Sequence, residues 1–254
     1  MARHTGKVAV CAGSATGMGA ECAFRLATEG AKVVVGDINL TAAEALVERI
    51  KAAGGEAVAE AFDIAQEESV NALIQGAAKR YGGLDLMHVN AADLRAVRKD
   101  GDALSTDLAI FDRSLAVGLR GHLLCTRAAI PLMQQRGKGA IVYTSSEAAK
   151  TAAPSLVSYY VLKAGLNGLM RHVATRWGPE GIRANAICPG VIKTEMTRYL
   201  WENPEHVQRA SDRVALKRLG APEEVAKAAL YLSTEDSGFT TGTEILVDGG
   251  FAWR

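Results

Sequence analysis

Short apolar runs rich in β-branched residues alternate along the chain with longer stretches of helical period. Residues 7–12, 32–36, 57–62, 84–89, 140–144, 183–187 and 244–247 predict strands, and residues 41–53 and 67–81 predict amphipathic helices between them. Near-continuous apolar strands are covered on both faces, which predicts a parallel sheet with helices on each side. Regular β-α alternation then predicts one α/β domain over residues 1–254: a single-domain, doubly wound, Rossmann-like parallel sheet of seven strands. Ligands of such sheets bind beyond the carboxyl ends of the strands, so chemistry is expected just after each strand. Residues 192–219 break the rhythm and carry Tyr199, Leu200, Trp201 and Pro204 among charges. A long irregular segment after a strand end predicts a substrate lid.

Bulk properties narrow the picture by exclusion. The 254 residues are 48% apolar and 22% charged, as in an ordinary soluble enzyme, and the net charge of +1 supplies no field for nucleic acid or an anionic membrane. The apolar stretch Val8-Ala9-Val10 is too short for a signal peptide or a membrane span, so the chain reads as cytoplasmic. Cys11, Cys22, Cys125 and Cys188 are scattered, without a C-x-x-C pair or a cluster of histidines. They read as buried reduced thiols, with no metal site.

The first strand runs into Gly13-Ser14-Ala15-Thr16-Gly17-Met18-Gly19, followed by a helical stretch to about Thr28. Glycines between a strand and a helix allow a tight turn and close approach of backbone to a pyrophosphate, and the helix N-terminus offers free N–H groups to it. The second strand ends at Asp37, eighteen positions past Gly19. A carboxylate there accepts hydrogen bonds from both adenosine ribose hydroxyls and repels a 2′-phosphate. No arginine stands at Ser14, Ala15 or Ile38 to offset that repulsion, so the sequence favours NAD over NADP.

Tyr159 and Lys163 stand four apart in a predicted helix and share a face, and Ser146 precedes them just after the strand at 140–144. Removing the proton of an alcohol while hydride leaves carbon requires a base. Free tyrosine, with a pKa of about 10, is a poor one at neutral pH. An ammonium at Lys163, together with the positive nicotinamide ring, is expected to lower that pKa. Ser146 is placed to steady the developing alkoxide.

These residues resemble the short-chain dehydrogenase/reductase family, in its short single-domain branch, over nearly the whole chain. The marks are Gly13-x-x-x-Gly17-x-Gly19, Asp63-Ile64, Asn90-Ala91, Ser146, Tyr159-x-x-x-Lys163, Pro189-Gly190 with Thr194, and Asp248-Gly249-Gly250. The resemblance implies that Asp63 contacts the adenine and Ile64 packs on it, and that Asn90 and Ala91 lie along the ribose. It implies that Lys163 also binds the nicotinamide ribose, and that Ile192 and Thr194 hold the carboxamide end. It also implies a homotetramer, in which Phe251 and Trp253 could pack across an interface or fray as a tail.

Three positions depart from the family pattern: Ala12 replaces a threonine, Ala92 a glycine, and Gly118 the asparagine that holds a water between the lysine and solvent. Either extra water fills the space beside Gly118 and sustains the relay, so that Gly118→Asn leaves turnover equal or faster, or the relay is broken and the protein binds NAD without turning it over. The first is favoured because Ser146, Tyr159 and Lys163 remain. The function expected is hydride transfer between nicotinamide and a secondary alcohol or ketone. Leu94, Leu156, Tyr199, Leu200 and Trp201 suggest an apolar or cyclic substrate, or else the packing of the lid. A 3-oxoacyl reductase is the alternative, disfavoured by Asp37. An enoyl reductase would space its tyrosine and lysine more widely.

Overall fold

The computed structural model describes residues 2–251, the side chains of Leu94 and Met196 excepted. Trp253 therefore lies outside the described residues, as does the expectation made for the Leu94 side chain.

Seven parallel strands form one sheet in the order β3-β2-β1-β4-β5-β6-β7. The strands are β1 (Val8–Ala12), β2 (Lys32–Asp37), β3 (Glu56–Ala61), β4 (Leu86–Val89), β5 (Gly139–Thr144), β6 (Ile182–Pro189) and β7 (Glu244–Val247). The chain reverses its direction of travel across the sheet between β1 and β4, which opens a crevice at their carboxyl ends. The central strands are buried on both faces, whereas β3 and β7 are partly exposed because each is an edge. The expected strand at 84–89 begins at Leu86 instead. Asp85 itself still bonds both neighbours through its backbone, to the Val8 carbonyl and from the Ala140 N–H, and its carboxylate accepts the Val8 N–H at 2.9 Å and the Arg136 guanidinium at 3.0 Å.

One face of the sheet carries α1 (Gly17–Thr28), α2 (Leu40–Ala52) and α10 (Pro222–Ser233); the other carries α3 (Glu67–Tyr81), α6 (Gly121–Gln135) and α7 (Val157–Trp177). Between β4 and α6 lie α4 (Leu94–Val97) and α5 (Leu108–Leu115), and then a single π-turn, Ala116–Arg120, which lets one extra residue into the helical path at Gly118. The irregular segment after β6 folds into α8 (Arg198–Trp201) and α9 (Pro204–Asp212). Pro204 and Asn203 explain the second start: proline suits the first helical turn, and the Asn203 side chain accepts the Glu205 N–H at 2.9 Å.

All four cysteines are buried free thiols. Among the described residues, no helix is long and apolar enough to cross a membrane, and no group of three or more His, Cys, Asp or Glu is placed to hold a metal ion.

Candidate functional site

The glycine-rich loop meets the end of β4 at very close range. Gly13 has φ +71°, and a Cβ there would overlap Ala91. A Cβ on Gly19 would stand 2.6 Å from Asn90 Nδ2 and 2.7 Å from Ser14 Oγ. Asn90 clamps the loop by donating from Nδ2 to the Gly13 carbonyl at 2.8 Å. Its Oδ1, like the buried hydroxyl of Ser14, has no partner within the protein. Thr16 heads α1 without a side-chain cap, so the first N–H groups of the helix are not claimed by that residue. Met18 packs on the core cluster beneath α10. Orphaned buried polar atoms beside a helix start, in a cradle that any side chain would fill, fit a dinucleotide phosphate.

Asp37 lies at the mouth of this cradle. One carboxylate oxygen accepts the Ala15 N–H at 2.9 Å and the other the Asn39 N–H at 3.0 Å. Asn39, not Asp37, caps α2, through the Ala42 N–H. The carboxylate is thus tied to the phosphate loop, and each oxygen retains capacity for a ribose hydroxyl. Asp63 turns its Oδ1 onto the Ala65 N–H at 2.9 Å. Ile64 sits in the core, 4% exposed, under Gly121, and so has little surface left for the adenine contact implied by the resemblance.

Pro189 ends β6, and the Gly190 N–H continues the ladder onto Val247. The Ile192 side chain is buried among Val225 and Ala226, leaving only its backbone toward the crevice. Thr194 caps the turn that follows and stands against Gly17, where a Cβ would lie 3.4 Å from its Cγ2. The segment after β6 and the glycine-rich loop therefore meet at Thr194 and Gly17.

The structure brings Ser146, Tyr159 and Lys163 together beyond β5. The Ser146 hydroxyl stands beside the Tyr159 phenol, near enough to oppose the effect of burial on it, and Lys163 Nζ lies 5.6 Å from the centre of the Tyr159 ring. Lys163 is 2% exposed and donates to the Thr144 carbonyl at 2.7 Å. Burial lowers its pKa to about 8. Burial pushes the Tyr159 phenol up to about 12, with Ser146 opposing; the expected lowering draws on the positive nicotinamide ring as well as on Lys163.

At Gly118 the Leu162 side chain packs on the bare backbone: a Cβ there would stand 2.8 and 3.0 Å from the two Leu162 methyl carbons. One turn on, His122 is fully buried; its Nδ1 donates to the Val117 carbonyl at 3.3 Å and its Nε2 has no partner within the protein.

Of the expected apolar wall, Leu156 stands directly before α7 with φ +69°, Tyr199 is 57% exposed with Arg98 stacked on its ring, and Leu200 is half-buried. The Trp201 indole donates to the Thr194 carbonyl at 2.8 Å, so it secures the carboxamide segment. Phe251 lies under the Arg213 guanidinium.

Two acidic residues escaped sequence reasoning. The Asp100 carboxylate accepts from the Ser158 hydroxyl at 2.6 Å and the Tyr159 N–H at 3.1 Å, capping α7 from outside the helix. Nothing in the spacing of Asp100 and Tyr159 foretells that contact. Glu147, half-buried, accepts from the Ser146 hydroxyl at 3.0 Å. Its adjacency to Ser146 was a signal available in the sequence.

A family model described as "Enoyl-(Acyl carrier protein) reductase" matches residues 12–252. A Bradyrhizobium diazoefficiens protein named "Probable short-chain type dehydrogenase/reductase" is 42% identical over 251 residues, covering 98% of this chain and 89% of the relative. The D-threitol dehydrogenase of Mycolicibacterium smegmatis is 33% identical, over 98% of this chain and 94% of its own. Among solved structures, a 7α-hydroxysteroid dehydrogenase complexed with NADH and 7-oxo glycochenodeoxycholic acid superposes with a TM-score of 0.92 at 32% identity, covering 98% of this chain and 95% of that one.

Proposed function

The chain belongs to the short-chain dehydrogenase/reductase family, and we propose that it is an NAD-dependent member that moves a hydride between nicotinamide and a secondary alcohol or ketone. The observation that carries this reading is the gathering of Ser146, Tyr159 and Lys163 beyond the carboxyl end of β5. When bound, the nicotinamide ring supplies the carbon that takes or gives hydride. Ser146 holds the substrate oxygen, and Tyr159 gives or takes its proton. Lys163 holds Tyr159 in the field of an ammonium and reaches the nicotinamide ribose. Asp37 reads the ribose hydroxyls and disfavours a 2′-phosphate.

The proton chemistry has a direction in pH. At neutral pH the protein's own atoms keep Tyr159 a neutral phenol, raised to about 12, which suits protonation of a ketone oxygen. Alcohol oxidation needs the phenolate, so its rate rises with pH, and ketone reduction does not.

The relatives' names span a four-carbon polyol and a steroid, so they support the reaction class rather than a substrate. A 3-oxoacyl reductase remains the second reading only if NADP proves the better cofactor. This reading includes a cytoplasmic homotetramer. Supporting assembly is an exposed apolar hollow lined by Leu115, Ala116, Leu119, Leu123 and Leu169.

The test is nicotinamide absorbance with NAD⁺ and, in parallel, NADP⁺ against a panel of secondary alcohols, with Tyr159→Phe as the control. Turnover with NAD⁺ that falls by about 10³-fold or more in Tyr159→Phe is expected. Saturable NAD binding without Tyr159-dependent turnover across the panel would replace the enzyme with a binding protein.

A further inference from the structure

Glu147 follows Ser146 directly and is in contact with it: the serine hydroxyl donates to a carboxylate oxygen at 3.0 Å. Ser146 Oγ also accepts the Ala148 N–H at 3.1 Å and stands beside the Tyr159 phenol. A hydroxyl has one proton to donate. Here that proton is given to Glu147, away from the place a substrate oxygen would take beside Tyr159.

The carboxylate itself is under-served. Its hydrogen-bond partner is the Ser146 hydroxyl, and among the described residues it has no ion pair. Burial raises its pKa, against the Ser146 hydroxyl, with Asp248 raising it and Arg213 lowering it by less. A half-buried carboxylate with spare lone pairs favours an additional hydrogen-bond donor.

Resting on the reading of Ser146 and Tyr159 as the proton-handling pair, we infer that Glu147 is a specificity-determining residue that binds a second hydroxyl of the substrate, next to the reacting carbinol. The substrate class is thus a neutral vicinal diol or polyol, open-chain or cyclic. Two gauche hydroxyls on adjacent carbons stand about as far apart as a hydrogen-bonded pair of oxygens, about 2.8 Å, which matches the 3.0 Å between Ser146 Oγ and Glu147 Oε2. The second hydroxyl donates to Glu147 in place of Ser146. The serine proton then turns to the reacting oxygen, where the alkoxide develops. A mono-alcohol leaves Ser146 committed to Glu147, and an acid or phosphate ester meets a like charge. Lys163 and the bound nicotinamide cation disfavour an ammonium in the same place, which selects a neutral donor.

The experiment compares cyclohexanol, cis- and trans-1,2-cyclohexanediol and trans-2-aminocyclohexanol. Their kcat/KM with NAD⁺ is measured for the wild type, Glu147→Gln and Glu147→Ala. Their binding to NAD⁺-loaded Tyr159→Phe protein, with and without Glu147→Ala, is measured by calorimetry. One of the diols is expected to exceed cyclohexanol by about 10- to 100-fold, the worth of a hydrogen bond to a charged group. Glu147→Ala removes that preference in both assays and raises cyclohexanol turnover, because the Ser146 proton is released. Equal binding of the diols and cyclohexanol overturns the inference, as does a preference that survives Glu147→Ala or a preference for the amino alcohol. A Glu147-dependent binding difference without turnover in the wild type would refute hydride transfer and leave the diol site standing.

Discussion

Gly118 and Leu162 are one feature seen from two helices. The π-turn brings the bare backbone of Gly118 against the Leu162 methyls, directly before Lys163 in sequence, so a side chain at 118 competes with a residue whose neighbour is the site lysine. Overpacking a core costs about 1–3 kcal/mol, whereas replacing glycine within a helix returns at most about 1 kcal/mol. Gly118→Asn is therefore expected to lower stability by about 1 kcal/mol or more. Leu162→Ala alone is expected to cost about 2–5 kcal/mol, since Leu162 is 3% exposed. Asparagine at 118 added to Leu162→Ala should cost nothing further. Urea unfolding of the four proteins checks this, and an equal penalty in both backgrounds would refute the packing account.

At the scale of elements, α7 begins under constraint. Leu156 holds a left-handed backbone that costs a non-glycine residue about 1–2 kcal/mol. The loop after α4 sustains it: the Val157 N–H donates to the Gly101 carbonyl at 3.1 Å, and Asp100 takes the Ser158 hydroxyl and the Tyr159 N–H. Asp100 in turn accepts from Thr106 at 3.0 Å. A carboxylate at a helix start answers unpaired N–H groups and the positive end of the helix. Asp100 is thus a positioning residue for Tyr159. Asp100→Ala is expected to lose about 1–2 kcal/mol of stability and to lower kcat more than it changes KM. Asp100→Asn, which keeps one acceptor oxygen, should recover part of both. Equal kcat in the wild type and Asp100→Ala would show that α7 is held by its packing alone.

For the molecule as a whole, three buried histidines set the acid limit. Burial lowers His4 and His88 to about 4 and His122 to about 3, from an ordinary 6.5. The folded protein therefore keeps all three neutral where the unfolded chain would protonate them. Their contribution to stability is complete above the unfolded value and is lost as pH falls from there toward the folded values. In that window each removes about 1.4 kcal/mol per pH unit. Urea midpoints are expected to fall steeply between about pH 6 and pH 4.5, with less change between pH 8 and 7. A midpoint that stays level down to pH 5 would mean that these side chains are already hydrated in the native state.

The sheet, its covered faces and the residues ending its strands were legible because they depend on local pattern. Near-continuous apolar runs need helices on both sides, and a ligand-binding loop needs glycine wherever backbone approaches backbone, as Gly13 and Gly19 do against Ala91 and Asn90. The Tyr159–Lys163 spacing likewise sets both side chains on one helix face before any fold is known. Tertiary structure alone decided what stands across from those residues. Asp100 reaches Tyr159 across a gap of 59 residues, Leu162 fills the place beside Gly118, and Ile64 disappears beneath Gly121. Burial raises the Tyr159 phenol, because desolvation depends on every neighbour in space and sequence spacing carries no record of it.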